Sequence, residues 1–124
     1  MADFTIGEQE TRFANIIWEN APLKSSELVK LAADIMQWKK STTYTVLRRL
    51  CERGIFINEN TMVYVKLTKD QFYGKQSRKY VEDKFGGSLP KFIASFMGGK
   101  KLTSKQAAEL KKLIDEHNDG DGNG

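Results

Sequence analysis

The stretch S41-T-T-Y-T-V-L-R-R-L50, preceded by Lys39 and Lys40 and followed by C51-E-R-G54, decides what fold the chain is predicted to adopt. At about 100° per residue, its apolar side chains fall on one continuous arc of a helix and its polar side chains on the opposite arc. The apolar arc comprises Thr43, Val46, Leu47, Leu50 and Cys51. We expect the apolar arc to pack on the rest of a domain and the polar arc to face a partner.

The polar arc carries forked and hydroxylic hydrogen-bond donors. It comprises Ser41, Thr42, Tyr44, Thr45, Arg48, Arg49 and Glu52. An arginine matches the O6 and N7 acceptors of guanine, and a threonine offers a hydroxyl to a base or phosphate and a methyl to thymine. Lys39 and Lys40 precede the helix, where they and the helix N-terminus can contact phosphates. The pattern therefore predicts a helix that lies in the major groove of double-stranded DNA, with Thr45 and Arg48 near the centre of the contact.

Two points about this segment stay open at the level of sequence. Glu52, the one acid on the polar arc, either lies beyond the groove or pairs with Arg48 four residues earlier. The window 39–50 holds four basic residues and no acid, which also fits a solvated helix face. Residues 1–70 carry ten Lys/Arg and nine Asp/Glu, so a local basic patch on a nearly neutral region suggests a directed anionic partner.

Two further helices are predicted before this one. The first opens with a capping box, Thr5-x-x-Glu8, and ends near Glu19. The second opens with the cap-forming cluster Ser25-Ser26-Glu27. Their apolar sides comprise Phe13, Ile16 and Ile17 in the first helix and Leu28, Leu31, Ala32 and Ile35 in the second.

The third helix is followed by a change of hydrophobic period. Ser41 or Thr42 is predicted to cap its start, and Gly54 is predicted to end it in a left-handed conformation. Residues 55–57 and 62–65 are β-rich runs that flank a polar turn at 58–61. Three helices followed by a two-stranded hairpin are typical of a winged helix-turn-helix. The predicted fold is mainly α with a small β-hairpin.

The chain is predicted to divide into three parts. Residues 1–67 form the winged-helix DNA-binding domain, residues 68–118 a helical dimerisation region, and residues 119–124 a flexible tail. The helices after residue 68, the last opened by a Thr103-x-x-Gln106 capping box, are too apolar to stand alone and too few for a separate core. A second copy of the chain is expected to cover them, which gives a homodimer. The predicted dimerisation residues are Phe92, Ile93, Phe96, Met97, Leu110, Leu113 and Ile114.

We find no motif in the sequence that is typical of another class of function. A Gly-rich phosphate loop, a nucleophile elbow and a catalytic carboxylate pair are all missing, so neither an enzyme nor a bound cofactor is predicted. Cys51 and His117 are the only cysteine and histidine, and no metal site or disulfide is predicted. Trp18 and Trp38 are expected to be packing residues. No apolar run approaches the ~18–20 residues of a membrane span, and without a visible secretory signal the predicted location is the cytoplasm.

The segment W38-K-K-S-T-T-Y-T-V-L-R-R-L-C-E-R-G54 resembles the recognition-helix signature of the penicillinase repressor family. The segment I17-W18-E19 with its turn at Pro22, and the closing segment 101–114, are similar to the corresponding parts of that family, so the resemblance covers residues 5 to 116. It implies a homodimeric winged-helix repressor of transcription that binds a palindromic operator and dimerises through its C-terminal helices. It also places Thr42, Thr45 and Arg49 near the DNA.

Three departures from the family pattern bear on the operator complex and its release. In antibiotic-sensing members a regulatory protease cuts an Asn–Phe bond in the second C-terminal helix, and Ser95-Phe96 stands at that position here. In copper-sensing members C-terminal Cys-x-Cys pairs bind metal, and the C-terminal region of this chain carries no cysteine. The wing turn N58-E-N-T61 lacks the Lys/Arg of many members, so its phosphate contacts are expected to be weak. Cleavage near Ser95-Phe96 and binding of a small ligand or partner both stay open as release signals.

A second class of function also fits these residues. In it the chain is a winged-helix protein-interaction module, whose polar arc docks on an acidic protein surface without sequence-specific DNA binding. A steep loss of affinity for duplex DNA with rising salt, together with a preference for one operator over random duplexes, would favour the repressor.

Overall fold

The computed structural model describes the backbone of residues 6–121 and the side chains of residues 6–118. The chain forms two compact units, of which the first ends at Tyr80 and the second begins at Val81. The first contains α1 (Glu8–Asn20), β1 (Leu23–Lys24), α2 (Ser25–Met36), α3 (Lys40–Glu52), β2 (Phe56–Glu59), β3 (Met62–Val65) and most of α4 (Lys69–Phe85). The second contains the end of α4, α5 (Leu89–Phe96) and α6 (Ser104–Asp121). The predicted mainly α fold with a winged helix is confirmed.

The sheet has three antiparallel strands in the order β1-β3-β2, one more than the predicted hairpin. β2 pairs with β3 from Phe56 opposite Val65 to Glu59 opposite Met62. β1 is only two residues long, too short to show the alternation that marks a strand in a sequence. The hairpin turn is formed by Asn60 and Thr61, whose φ angles of 51° and 64° are both left-handed, as a two-residue type I′ turn requires.

The core of the first unit lies between the three helices of the helix-turn-helix, the sheet and α4. Its fully buried side chains include Phe13, Ile17, Leu28, Leu47, Leu50, Ile55, Phe56, Val63 and Phe72. The Trp18 ring lies 5.4 Å from that of Phe56 and 5.7 Å from that of Phe72, and its indole N–H donates to the Leu67 carbonyl at 2.9 Å. The Trp38 ring packs 5.0 Å from that of Phe13. Both tryptophans are therefore packing residues, as predicted.

The ends of α3 are set by backbone conformation more than by capping side chains. Lys39 is the N-cap residue and provides no side-chain cap, so the prediction that Ser41 or Thr42 caps this helix is wrong. Gln37 closes α2 in a left-handed conformation, and the chain re-enters a helix at Lys40, before either hydroxyl. Gly54 ends α3 with φ +80°, as predicted.

The structure changes one prediction about the start of α1 and one about the buried side of α2. α1 begins at Glu8 behind Gly7, whose backbone N–H donates to the Glu10 carboxylate at 3.5 Å; Thr5 of the predicted capping box lies outside the described residues. Ile35, predicted on the buried side of α2, is 46% exposed. At the end of α2 the core contact lies on the side of Met36, about 100° further round the helix, and Met36 is buried instead.

The helices of the second unit keep their apolar side chains accessible. Ser88 is the N-cap of α5, and its hydroxyl accepts from the Lys91 N–H at 3.2 Å. Thr103 and Gln106 cap α6 reciprocally at 3.0 and 3.1 Å, as predicted. Among the side chains described on α5 and α6, none is buried. The predicted tail 119–124 overlaps the end of α6, and residues 122–124 lie outside the described range. Across residues 6–121 no helix has the length and apolarity needed to cross a bilayer.

Candidate nucleic-acid interface

α3 has one buried side and one exposed side, divided where the sequence predicted except at Tyr44. Thr43, Val46, Leu47 and Leu50 are buried, and Cys51 is half-buried. Burial is also the main cause that raises the pKa of the Cys51 thiol, partly offset by a backbone hydrogen bond from Asn58. A thiol with a raised pKa carries little thiolate at neutral pH and is a poor nucleophile. Cys51 is therefore part of the packing of α3.

The exposed side of α3 collects most of the predicted DNA-binding residues. Lys39, Lys40, Ser41, Thr42, Arg48 and Arg49 are exposed, and Thr45 is half-buried. We call these seven residues the α3 outer face. It has four cationic side chains, and the nearby acid is Glu52. Because α3 is packed on the core through its other side, the outer face is held on a rigid element, as precise recognition requires.

Tyr44, also predicted to bind DNA, is placed differently from the α3 outer face. Its side chain is half-buried against the core, and its hydroxyl donates to the buried Ser25 hydroxyl at 3.3 Å. The backbone N–H of Ser25 in turn donates to the Thr61 carbonyl at 2.8 Å. Tyr44 therefore connects α3 to the start of α2 and the hairpin turn. The sequence assigned Ser25 only to a helix cap, and this role depends on a contact 19 residues away.

The hydroxyl of Thr45 is already engaged within the helix. It donates to the Ser41 carbonyl four residues earlier at 2.9 Å. A hydroxyl has a single proton and two lone pairs, so in this rotamer Thr45 offers an outside partner its oxygen as an acceptor and its methyl group. The acceptor suits an amino group on a base edge, and the methyl suits thymine.

Arg48 and Arg49 differ in their surroundings. The Arg48 Nε lies 3.7 Å from the Glu52 Oε1, with both side chains about 70% exposed, which settles the open question about Glu52 in favour of the pair. An exposed pair of this kind contributes at most about 1 kcal/mol, so Arg48 can leave Glu52 for a phosphate or base at small cost. Within residues 6–118 Arg49 takes part in no ion pair.

The N-terminus of α3 adds backbone donors to the α3 outer face. No side chain caps it, and the first N–H groups of a helix have no partner inside the helix. Lys39 and Lys40 lie beside these donors and are exposed. Together they form a local arrangement suited to a phosphate group.

The other end of α3 is fixed by an ion pair that the sequence did not reveal. The Arg53 guanidinium lies 3.8 Å from the Glu10 carboxylate, and the two side chains are only 29% and 20% exposed. The pair connects the end of α3 to the first turn of α1. Its partners are 43 residues apart, and neither has a sequence signal that points to the other.

The wing carries little positive charge. Its turn, residues 58–61, is exposed and includes Glu59. On the strands beside it, Ile57 and Tyr64 are cross-strand neighbours and are 39% and 42% exposed. The α3 outer face, not the wing, is therefore the basic surface of the helix-turn-helix.

The predicted dimerisation residues lie together in the second unit. Phe92, Ile93 and Leu110 are half-buried, and Phe96, Met97, Leu113 and Ile114 are exposed. An open groove of about 280 Å³ is lined by Phe92, Ile93, Phe96, Met97, Leu102 and Leu110. Ser95 and Phe96, the candidate cleavage position, are exposed at the end of α5.

A metal centre has no support among the described side chains. No group of three or more His, Cys, Asp or Glu side chains comes together within them. The Nδ1 atom of His117 lies 3.0 Å from the Leu113 carbonyl on its own helix.

Comparison with known protein families finds one match that covers most of the chain. The sequence model of the family described as Penicillinase repressor matches residues 6–116, which is most of the chain and includes every part of the winged helix and of α5. No curated protein sequence matches the chain. The chain belongs to the penicillinase repressor family, whose members are DNA-binding repressors of transcription.

Proposed function

We propose that the chain represses transcription as a homodimer, each copy of which places α3 in the major groove of one half of a palindromic operator. The observation that carries the proposal is the α3 outer face, which presents Arg48 and Arg49 in the C-terminal half of the helix and Lys39 and Lys40 at its N-terminus. Guanidinium groups can read base edges, and the lysines and backbone N–H groups can bind phosphates. Transcriptional repression itself follows from the family.

The dimer is proposed from the exposed apolar side chains of α5 and α6. Phe96 is 69% exposed, and Leu113 and Ile114 are about 50% exposed. A cluster of large apolar side chains left in water marks an interaction site, and an identical copy of the same helices can cover it by two-fold symmetry. A two-fold dimer also explains why the operator would be a palindrome.

Selection from a random duplex library with the purified full chain tests the proposal. The recovered sequences should carry two inverted half-sites with centres separated by about 10 base pairs or a multiple of that. The α3 outer face has four cationic side chains, or eight in a dimer, so binding should weaken with salt, with a log–log slope of up to about −7. Recovery of no common sequence would contradict sequence-specific repression.

We also propose that the repressor is released from its operator by cleavage of the dimerisation region at Ser95-Phe96. Both residues are exposed at the end of α5, a helix of eight residues, and short terminal turns open at little cost. The cut would separate α6 from α5 and remove part of the dimer interface without touching the α3 outer face. The mass of the chain in cells before and after derepression tests this. A fragment ending at Ser95 supports cleavage, and an intact chain under full derepression contradicts it.

A protein-interaction module is the second candidate function, and the wing favours it. Ile57 and Tyr64 expose apolar surface side by side, next to a turn without Lys or Arg. Such a surface suits a protein partner better than a phosphate backbone. Duplex binding by the full chain separates the two candidates, because the repressor should prefer one operator over random duplexes and an interaction module should show no such preference.

A further inference from the structure

The linker between α5 and α6 lies in a part of the chain that carries lysines and no acidic residue. Residues 86–108 contain four lysines and no acidic residue. Lys100 and Lys101 lie in the linker itself and are exposed, and within residues 6–118 neither takes part in an ion pair. Two unpaired ammonium groups side by side repel each other and attract an anion.

These lysines border an apolar trough. The groove of about 280 Å³ described above is lined only by apolar side chains. It adjoins a second opening of about 370 Å³, which is lined by Lys100, Lys101 and Gln106 as well as apolar groups. Phe96, Met97 and Leu102 line both openings, so the two adjoin along these residues, and we call them together the trough, with an apolar part and a cationic part.

We propose that this trough binds a free single-chain amphiphile with an anionic head, of the class of medium-chain alkyl carboxylates. The alkyl chain lies along Phe92, Phe96 and Leu110, and the carboxylate faces Lys100 and Lys101. Each opening, of about 370 and 280 Å³, is close to the lower end of the range for small-molecule sites in proteins. A groove with apolar side chains and lysines at one end matches a ligand that has an apolar chain and an anionic head. An inorganic anion would leave the apolar side chains in contact with water. A neutral hydrocarbon would make no contact with the lysines that depends on their charge.

The consequence for repression rests on the proposed homodimer. Phe92, Phe96 and Leu110 are also predicted dimerisation residues, so the ligand and the second copy of the chain compete for the same side chains. A ligand that binds only the separated chain shifts the equilibrium away from the dimer. The amphiphile would then weaken operator binding while the polypeptide stays intact and the α3 outer face is untouched.

Calorimetric titration of the full chain with decanoate, below its micelle concentration, tests the ligand class. Decanoate should bind with one molecule per chain, and each methylene between octanoate and decanoate should tighten binding about threefold to fourfold. Decanol, which has the same chain without the charge, should bind about fivefold to tenfold more weakly. Equal binding of decanol and decanoate would overturn the role of the lysines, and no binding of either would overturn the site.

A pair of matched variants locates the head group. Lys100→Gln combined with Lys101→Gln should reduce decanoate affinity about fivefold to tenfold and leave decanol binding as it was. Lys111→Gln combined with Lys112→Gln removes two adjacent exposed lysines of α6 that do not line the trough, and it should leave both ligands unaffected. An equal loss in both double variants would mean a general charge effect and would overturn the assignment.

Two further measurements separate this proposal from its rivals. Operator binding without ligand tests the proposed function alone, and a fall in operator affinity on adding decanoate, absent with butyrate, tests the competition. If decanoate binds and operator affinity does not fall, the proposed regulation is wrong. Phosphatidylglycerol vesicles test a membrane source of an anionic head group, and capture by vesicles without any binding of monomeric decanoate would overturn the proposal.

Discussion

Arg48 and Arg49 are neighbours in the chain and differ in what surrounds their guanidinium groups. Arg48 forms an ion pair with Glu52, with 3.7 Å between Nε and Oε1. Arg49 is exposed and takes part in no ion pair among the described residues. Arg48 is central on the polar arc and Arg49 lies nearer its edge. Central and edge positions meet different parts of a groove, so the two side chains should contribute to affinity in different ways.

We expect Arg48→Ala to weaken binding of the selected operator by about 1–3 kcal/mol and to relax base preference at one position. Arg49→Ala should lower the affinity for all duplexes alike, as loss of a phosphate contact does. Binding isotherms on the selected and a scrambled duplex separate these effects, with Lys111→Ala as a control outside α3. If neither substitution alters binding to any duplex, α3 is not the recognition helix.

A second prediction at this scale concerns the Tyr44–Ser25 hydrogen bond. Tyr44→Phe and Ser25→Ala should each lower the free energy of unfolding by about 0.5–1.5 kcal/mol. Because the two hydroxyls are partners in one hydrogen bond, the double variant should lose less unfolding free energy than the sum of the two single losses. Urea unfolding measures this, with the exposed neighbour Ser26→Ala as the control. A fall in operator affinity for Tyr44→Phe with unchanged stability would instead support the direct DNA contact predicted from the sequence.

At the scale of elements, the C-terminal end of α3 is held by backbone hydrogen bonds and by an ion pair. The N–H groups of Gly54 and Ile55 donate to the Cys51 and Leu50 carbonyls at 2.9 and 3.1 Å. These two bonds are the Schellman pattern, which needs a left-handed residue at Gly54. Immediately before it, Arg53 pairs with Glu10 and ties this end of the helix to α1.

Two glycines give a matched test of this geometry. A Cβ at Gly54 meets no atom within 4 Å, so only its φ of +80° opposes a side chain, and Gly54→Ala should destabilise the fold by about 1–2 kcal/mol. Gly74 lies inside α4 with an ordinary helical φ, and its added Cβ approaches only the flexible Arg78 guanidinium, at 3.3 Å. Gly74→Ala should therefore stabilise by about 0.5–1 kcal/mol. Urea unfolding of both variants checks the opposite signs. A Gly54→Ala variant that is no less stable than the parent would refute the account of Gly54, and a destabilised Gly74→Ala variant would refute that of Gly74.

The parts of the fold that depend on local pattern were predictable. Val46 and Leu50 follow the helical period, and Gly54 and the 55–57 and 62–65 runs give local signals for a helix end and a hairpin. β1 was missed because two residues show no period. The Arg53–Glu10 pair and the Tyr44–Ser25 bond were missed because each joins residues that are distant in the chain and ordinary in composition. For the candidate site, the sequence predicted which residues share one side of α3, but not that Tyr44 turns towards the core.

At the scale of the whole molecule, α4 contributes to both units. Its N-terminal part supplies Phe72, which is fully buried and packs on Trp18 at 5.7 Å. The first unit extends to Tyr80, whereas the predicted boundary falls between residues 67 and 68. A fragment that ends at the predicted boundary would lose Phe72, although the helix-turn-helix and the wing would be complete.

Two truncations therefore test domain boundary and dimer interface together. The fragment 1–80 retains Phe72 and should fold, remain monomeric in sedimentation, and bind a half-site weakly, because it lacks the high local concentration, on the order of millimolar, that a short connection gives the second half-site. The fragment 1–69 should be less stable by about 3–5 kcal/mol, the usual loss for a buried phenylalanine. Phe72→Ala in the fragment 1–80 is the control that attributes this loss to one side chain. Dimers of the fragment 1–80 would place the interface in the first unit and contradict the dimerisation residues proposed on α5 and α6.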